Sequence, residues 1–444
     1  MTLRKTLSAA VVTMLTAFAL TATAQTTADA DISAKEAISK DNNLAGCMYR
    51  AYPGPTKQLT PAPEGKRPFY ISHYGRHGSR WLIGRDDYKY LVEVLQKADS
   101  AKTLTKYGQE LLKKLRVIND HSRKRLGELT SLGAKQHREI GGRMADRFPE
   151  VFQGGVRIEA RSSTVVRCIL SMENELLEMM RRYNNLRIWS DASDRDMWFM
   201  AGGRENLGDV KGKKAAQELE WKWEQTKMPL FKSMFTKIFN DTAYVNKMVN
   251  KDKLVYRLYS IAVNMQSLDE RKEISLYDLF DNDQLYACYE KENAGWFINY
   301  GSNLWTQGKM PYSQRFLLRD IITKADSCIA LPKPGATLRF GHDTMICPMV
   351  CLLGIGGRDK MLDDTDFDNI AEKWRMYEFV PMAANIQFIF YRSSPSDGDV
   401  LVKVLLNEDE VAVTEDLKTD IFPYYHWKDF KEYFLKKLDN FQLR

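Results

Sequence analysis

Cysteine is scarce in this chain, with six in 444 residues, and the spacing of those six argues against a structural zinc centre. Cys347 and Cys351 stand four apart, but no second Cys or His pair accompanies them, so buried thiols or a disulfide are expected and no metal ligands are assigned. Internal repeats and low-complexity tracts are absent, which excludes solenoids and arrays. A basic stripe interleaved with aromatics is also missing. The run His121-Ser-Arg-Lys-Arg125 is an isolated cluster, so nucleic acid is not an expected partner. Charge of one sign is nearly lacking too, since 65 Lys and Arg face 58 Asp and Glu for a formal net charge of +7. That balance permits an anionic substrate without demanding one.

What is present begins at the amino terminus. Arg4 and Lys5 precede an apolar run from Leu7 to Leu20 that ends in Ala22-Thr23-Ala24. The run is shorter than the roughly 20 residues a spanning helix needs, so it predicts a secretory signal peptide over residues 1–24. No later stretch is apolar enough to cross a bilayer, and the expected product is free of stable membrane insertion, in the periplasm or outside the cell. Removing 24 of 444 residues leaves 420, enough for one large two-layered domain with an insertion.

Pro68-Phe-Tyr-Ile-Ser-His-Tyr74 reads as a buried strand closed by Gly75. Leu104, Tyr107, Leu111, Leu115 and Ile118 recur at helical spacing, as do Leu132, Ile140, Met144 and Phe148. Alternating Val156, Ile158 and Ala160 predict a second strand, followed by a helix carrying Val166, Ile169, Leu170, Leu177 and Met180. Residues 205–315 read as almost entirely helical, with Trp221 and Trp223 filling that unit. Ala336 to Phe340 is a further strand, and Pro348 is expected to bend the helix after it or to delay its start. Gln387 to Tyr391 and Val400 to Leu406 flank Pro395-Ser-Asp-Gly398 as an antiparallel hairpin. The fold class is therefore α/β, a mixed and mostly parallel sheet flanked by helices. Its core spans 44–204 and 316–444, and 205–315 is an inserted all-helical cap domain.

Three strand ends present Arg76-His77-Gly78-Ser79-Arg80, Arg161 with Arg167, and His342-Asp343. Open α/β sheets bind ligands at such ends. A phosphoryl group needs fixed cations, and arginine supplies them as rigid forks. An imidazole among guanidinium groups stays neutral, so His77 reads as a nucleophile toward phosphorus, with Gly78 letting the backbone pass close to the phosphate. Asp343 fits a proton donor to the leaving alkoxide, and Arg76, Arg80, Arg167 and His342 fit phosphate ligands. His73 is assigned a structural role, and His121, His137 and His426 surface or capping roles.

These residues resemble the histidine acid phosphatase branch of the histidine phosphatase superfamily, which includes phytases and multiple inositol polyphosphate phosphatases. The resemblance rests on Arg76 to Leu82, on Leu129-Thr-Ser-Leu-Gly133 with Gln136 and Arg143, on Arg167 with Ser171, and on His342-Asp343-Thr344. It implies an α/β core with a helical cap, a metal-independent two-step hydrolysis through phosphohistidine, no cofactor, and a phosphorylated small molecule such as an inositol polyphosphate, phytate or a sugar phosphate. Leu82, Ile83 and Met345 depart from the family pattern, and so does His-Asp where inositol polyphosphate phosphatases carry His-Ala-Glu. The alternatives are a non-catalytic binder of phosphorylated ligands and a phosphotransferase resembling phosphoglycerate mutase.

Overall fold

Strand β1 (Arg67–Arg76) is buried along its whole length after the first residue, as its aromatic and aliphatic run demands. It lies at the centre of the computed structural model, which describes residues 32–203, 207, 212–362 and 367–442. The expected signal peptide falls outside the described residues. The other strands are β2 (Arg157–Ser162), β3 (Arg187–Asp191), β4 (Gly335–Gly341), β5 (Asn385–Arg392), β6 (Leu401–Leu406), β7 (Asp409–Glu410) and β8 (Tyr424–His426). They form one mixed sheet in the order β3-β2-β4-β1-β5-β6-β7, with β8 beside β6. Strands β3, β2, β4 and β1 run parallel to their neighbours, and the hairpin partner β5 opens the antiparallel half.

Side-chain alternation sorts the sheet residues into two cores. Tyr70, Tyr74, Phe388, Phe390, Val402 and Val404 face one cluster, and Ile71, Ile389, Leu401 and Leu405 face the other. Helices cover both faces: α1 (Arg85–Ser100), α2 (Lys106–Ser122), α3 (Ser131–Arg147), α4 (Val166–Arg182), α5 (Lys213–Thr226), α6 (Lys251–Asn264), α7 (Asn282–Tyr300), α8 (Arg315–Ile329), α9 (Asp343–Leu353) and α10 (Trp427–Asp439). No strand occurs among the described residues between Asp191 and Gly335. Helices α5, α6 and α7 share the first core with α1 and α2, and Arg257 of α6 is paired with Asp87 of α1.

Local expectations meet the structure with mixed outcomes. The apolar residues expected to seat α4 lie on its outer side, for Val166, Leu170, Leu177 and Met180 are exposed. Its buried face carries Cys168, Ser171, Met172, Glu175, Leu176 and Met179, because α3 and the turn after β1 claim the polar side. Gly141 of α3 lets the two helices touch, since a Cβ there would stand 2.7 Å from the Glu175 carbonyl oxygen. Of the two effects expected of Pro348 the delayed start does not occur, for α9 runs from Asp343 through the proline to Leu353. All six cysteines are buried free thiols, one of the two states expected of them. Trp223 fills the helical core and donates to the Ala287 carbonyl at 2.8 Å, whereas Trp221 is exposed. Strand β3, unread in the sequence, is a half-exposed edge with no apolar run to announce it.

His73 has the structural place expected of it, fully buried with its ring 5.3 Å from that of Phe340 and folded over Gly75. Burial lowers its pKa from 6.5 to about 4, against the pull of Glu175 and with help from His137 and Arg339. The unfolded chain therefore binds a proton that the native ring refuses between about pH 6.5 and pH 4. Above that window the group is neutral in both states, and below its upper edge stability falls with pH. The melting temperature of His73→Gln is expected to drop less between pH 7 and pH 4.5 than that of the parent protein. Equal drops would mean that the native ring takes up its proton normally.

Candidate active site

The register of β1 on β4 brings the site together, because Arg76 pairs with Gly341 and the next residues of both strands are then neighbours. The His77 amide donates to the Gly341 carbonyl at 3.0 Å, and the His77 and His342 ring centroids lie 5.7 Å apart. His342 precedes α9 as its N-cap residue, Asp343 opens that helix, and the Thr344 amide donates to Asp343 Oδ1 at 2.8 Å. Strand β2 ends beside β4, so Ser163 reaches His342 Nε2 at 3.2 Å.

The turn after β1 is tethered at almost every backbone group. Arg76 N–H donates to the Ala384 carbonyl at 2.8 Å and its carbonyl meets His137 Nε2 at 3.1 Å. The His77 carbonyl accepts from Ala383 N–H at 3.0 Å, and Gly78 N–H donates to Ser171 Oγ at 3.1 Å. Ser79 N–H donates to Gln136 Oε1 at 2.9 Å, while its carbonyl accepts from both the amide and the hydroxyl of Thr130. Gly78 is required by packing: a Cβ there would stand 2.5 Å from the Gly133 carbonyl of α3. Its expected role of admitting phosphate is thus accompanied by a steric one on the protein side.

His77 Nδ1 lies 2.9 Å from the Gly78 carbonyl, which can only accept. The proton must therefore sit on Nδ1, leaving the Nε2 lone pair free. Burial, then Arg76, Arg80, Arg167 and His342 in turn, hold the His77 pKa well below that of an ordinary histidine. His342 is pushed to about 4, by burial first and by the same arginines, with Asp343 opposing. Arg76 is fully buried, bonded to the Met48 and Val380 carbonyls and in contact with Asp343 Oδ2 at 2.6 Å. Arg80 covers the Tyr49 ring, and Arg167 reaches the Gly127 carbonyl at 3.4 Å. Among the described residues neither of these two arginines has a carboxylate at ion-pair distance, and the Nε of each is a buried donor with no hydrogen-bond acceptor. Burial pushes the Asp343 carboxyl up, but Arg76, Arg80, His342 and the Thr344 amide outweigh it and leave its pKa below the usual value.

All six residues singled out from the sequence thus converge: His77, Asp343, Arg76, Arg80, Arg167 and His342. Arg161 does not join them. It turns aside to Glu159 and Asp196 and covers Trp189, because those acids offer it partners outside the site. His121 and His426 pair with surface acids. His137 corrects its assignment to the surface, being fully buried between Glu175 and the Arg76 carbonyl. Its position on the polar side of α3, next to Gln136, was the available signal. Tyr49, Ala383 and Ala384 carry no chemistry that a sequence could flag. Beside the site, Lys253, Tyr256, Arg257, Glu292 and Trp296 line a cavity of about 570 Å³. The Glu292 carboxyl is raised by burial, with Asp343 close enough to add to the shift.

Comparison with known proteins agrees with the fold. The crystal structure of Bifidobacterium longum multiple inositol polyphosphate phosphatase with inositol hexasulfate superposes with a TM-score of 0.75 at 18% identity, covering 87% of this chain and 96% of that one. The phytase from D. castellii gives 0.66 at 14% identity, covering 90% and 85%. Multiple inositol polyphosphate phosphatase 1 of Dictyostelium discoideum is 32% identical over 113 residues, which are 25% of this chain and only 17% of that protein. The sequence model of the histidine phosphatase superfamily (branch 2) matches residues 75–407, from the residue before Arg76 to Asn407 at the end of β6, and the chain belongs to that family.

Proposed function

We propose that the chain is an exported phosphomonoesterase that passes a phosphoryl group from a small phosphorylated substrate to His77 and then to water. The observation that carries this is the His77 ring, its Nδ1 fixed on the Gly78 carbonyl at 2.9 Å and its protonation disfavoured by burial and by Arg76, Arg80 and Arg167. Nε2 attacks phosphorus, the P–O bond to the leaving group breaks, and Arg76, Arg80, Arg167 and His342 bind the non-bridging oxygens. Each such contact, by analogy with single oxyanion donors, lowers the barrier by about 2.7–4 kcal/mol. The leaving oxygen takes its proton from Asp343. In the second half, Asp343 accepts a proton from water as that water attacks the phosphohistidine, and His77 and phosphate are released.

Asp343 is ionised in the free protein because Arg76 holds it. A phosphate dianion that displaces the carboxylate from Arg76 cancels part of the positive field, which raises the Asp343 pKa at the moment a donor is needed. The acid is thus armed by substrate. The arginines supply the positive charge, so the mechanism assigns no step to a metal ion.

Residues 205–315 act in this reading as a cap, with Lys253 and Arg257 among the cations that line its cavity. The related proteins named for inositol polyphosphates and phytate support such a substrate, and the His-Asp pair leaves sugar phosphates as the other choice. Export rests on the leader Arg4 to Ala24. A panel of phosphate esters including inositol hexakisphosphate, assayed for free phosphate, decides the substrate.

His77→Ala is expected to lower turnover at least about a thousandfold. Parent enzyme denatured in alkali during turnover of labelled substrate should carry label on His77, and an unlabelled protein would remove the intermediate. Asp343→Asn should slow the pre-steady-state burst far more for alkyl phosphates than for p-nitrophenyl phosphate, whose leaving group needs little protonation. Arg167→Ala should slow both alike. Equal slowing of both substrates by Asp343→Asn would mean that the proton comes from elsewhere. Because the His77 pKa lies well below 6.5, kcat/KM should not decline from pH 7 to pH 5.5 as it would for an ordinary histidine nucleophile. An acid limb centred near pH 6.5 would contradict that environment.

A further inference from the structure

His137 of α3 and Glu175 of α4 are fully buried, touch no position open to substrate, and meet directly behind the catalytic turn. His137 Nδ1 lies 2.9 Å from Glu175 Oε2, and Nε2 lies 3.1 Å from the Arg76 carbonyl. A peptide carbonyl has no hydrogen to give, so this contact is a hydrogen bond only while Nε2 carries one. Glu175 secures that condition. The proton between the ring and the carboxyl can sit on Nδ1 or on Oε2, and in both arrangements Nε2–H still points at the carbonyl. The third arrangement, a neutral ring protonated on Nδ1 beside a carboxylate, would bury a net negative charge and set a lone pair against the carbonyl oxygen.

The carbonyl in question belongs to the peptide group that joins Arg76 to His77. The other end of the same group, the His77 amide, donates to the Gly341 carbonyl at 3.0 Å. The peptide plane is therefore clamped at both edges, and rotation of that plane is the motion that would swing the imidazole away from phosphorus. Around the pair stand His73 of β1, with Nε2 3.9 Å from Glu175 Oε1, the Phe340 ring, and Arg339 of β4, which acts on His73 electrostatically. None of these reaches the Arg76 carbonyl.

We propose that His137, held in one orientation by Glu175, is a positioning residue that fixes the Arg76–His77 peptide plane and so aims the nucleophile. This rests on the reading of His77 as nucleophile. It differs from a role in stability alone, because the carbonyl contact and the glutamate contact are made by different ring atoms and can be removed separately.

The amide of glutamine reaches where Nε2 sits, and that of asparagine where Nδ1 sits. In the full-length protein, the burst of p-nitrophenol from p-nitrophenyl phosphate gives the number of competent sites from its amplitude and the phosphorylation step from its rate constant. His137→Gln, which can still donate to the carbonyl, is expected to keep the rate constant within about threefold of the parent. His137→Asn should lower it by about 10- to 100-fold, the scale of a misplacement near 1 Å. Competitive inhibition by inorganic phosphate should change less than about threefold in both, since the arginine side chains have their own supports. Equal rate constants in the two variants, with only amplitude or melting temperature altered, would overturn the proposal, as would a slower Gln than Asn. If Asn yields no folded protein, a Gln rate constant lowered more than about tenfold overturns it alone, and one within threefold supports it. Absence of trapped phosphate on His77 in the parent is a separate readout, and it would strike the nucleophile rather than the clamp.

Discussion

Three guanidinium groups crowd one imidazole, and their mutual repulsion is the constraint that the surrounding structure answers. Arg76, Arg80 and Arg167 each lower the His77 pKa, and Arg80 also disfavours the charged forms of Arg76 and Arg167. Like charges brought together in a buried site separate unless the backbone beneath them is stiff. The stiffness comes from neutral contacts. Carbonyls of Met48 and Val380 hold Arg76, the Tyr49 ring supports Arg80, and Gly341, Ala383, Ala384, Ser171, Gln136 and Thr130 pin the main chain from Arg76 to Ser79. Asp343, on Arg76, is the single carboxylate at ion-pair distance from any of the three arginines among the described residues, and phosphate is the natural further counter-charge.

That division explains what could be read from the sequence. Groups that act through charge are long and polar, so Arg76, His77, Arg80, Arg167, His342 and Asp343 were legible from residue type and from their places after the buried run of β1, the alternation of β2 and the strand β4. Groups that act through a main-chain atom leave no mark of that kind. Ala383 and Ala384 hold the turn by their peptide groups, and any residue that tolerates the Ala383 backbone, with φ of 57°, would serve. His137 was misplaced because burial of a polar residue is a property of the packed pair α3 and α4 and not of α3 alone. The apolar face chosen for α4 failed for the same reason, since Glu175 and Ser171 are worth burying only where α3 and the turn provide their partners.

The helices between β3 and β4 complete the site from the other side. Asn264 at the end of α6 donates to the Arg80 carbonyl at 3.1 Å, so this region touches the turn after β1 directly. The adjoining cavity wall mixes Lys253 and Arg257 with Glu292, whose carboxyl is held up by burial. A wall of that composition changes its net charge with acidity, while the arginines around His77 do not.

The place of β1 in the sheet governs the order in which the molecule can be assembled. Its two neighbours, Gly335–Gly341 and Asn385–Arg392, are synthesised more than 250 residues later. The strand that leads into His77 is therefore made first among the described strands and waits for both its neighbours. Both its edges expose unpaired amide and carbonyl groups until β4 emerges, and one edge stays open until β5 follows, with the surfaces of Tyr70, Ile71 and Tyr74 lacking their neighbours in the sheet meanwhile. A ribosome-bound fragment can build the early helices, yet it has no means of building a partial catalytic site. Activity should therefore arrive all at once, with completion of the chain, and not by degrees during its synthesis.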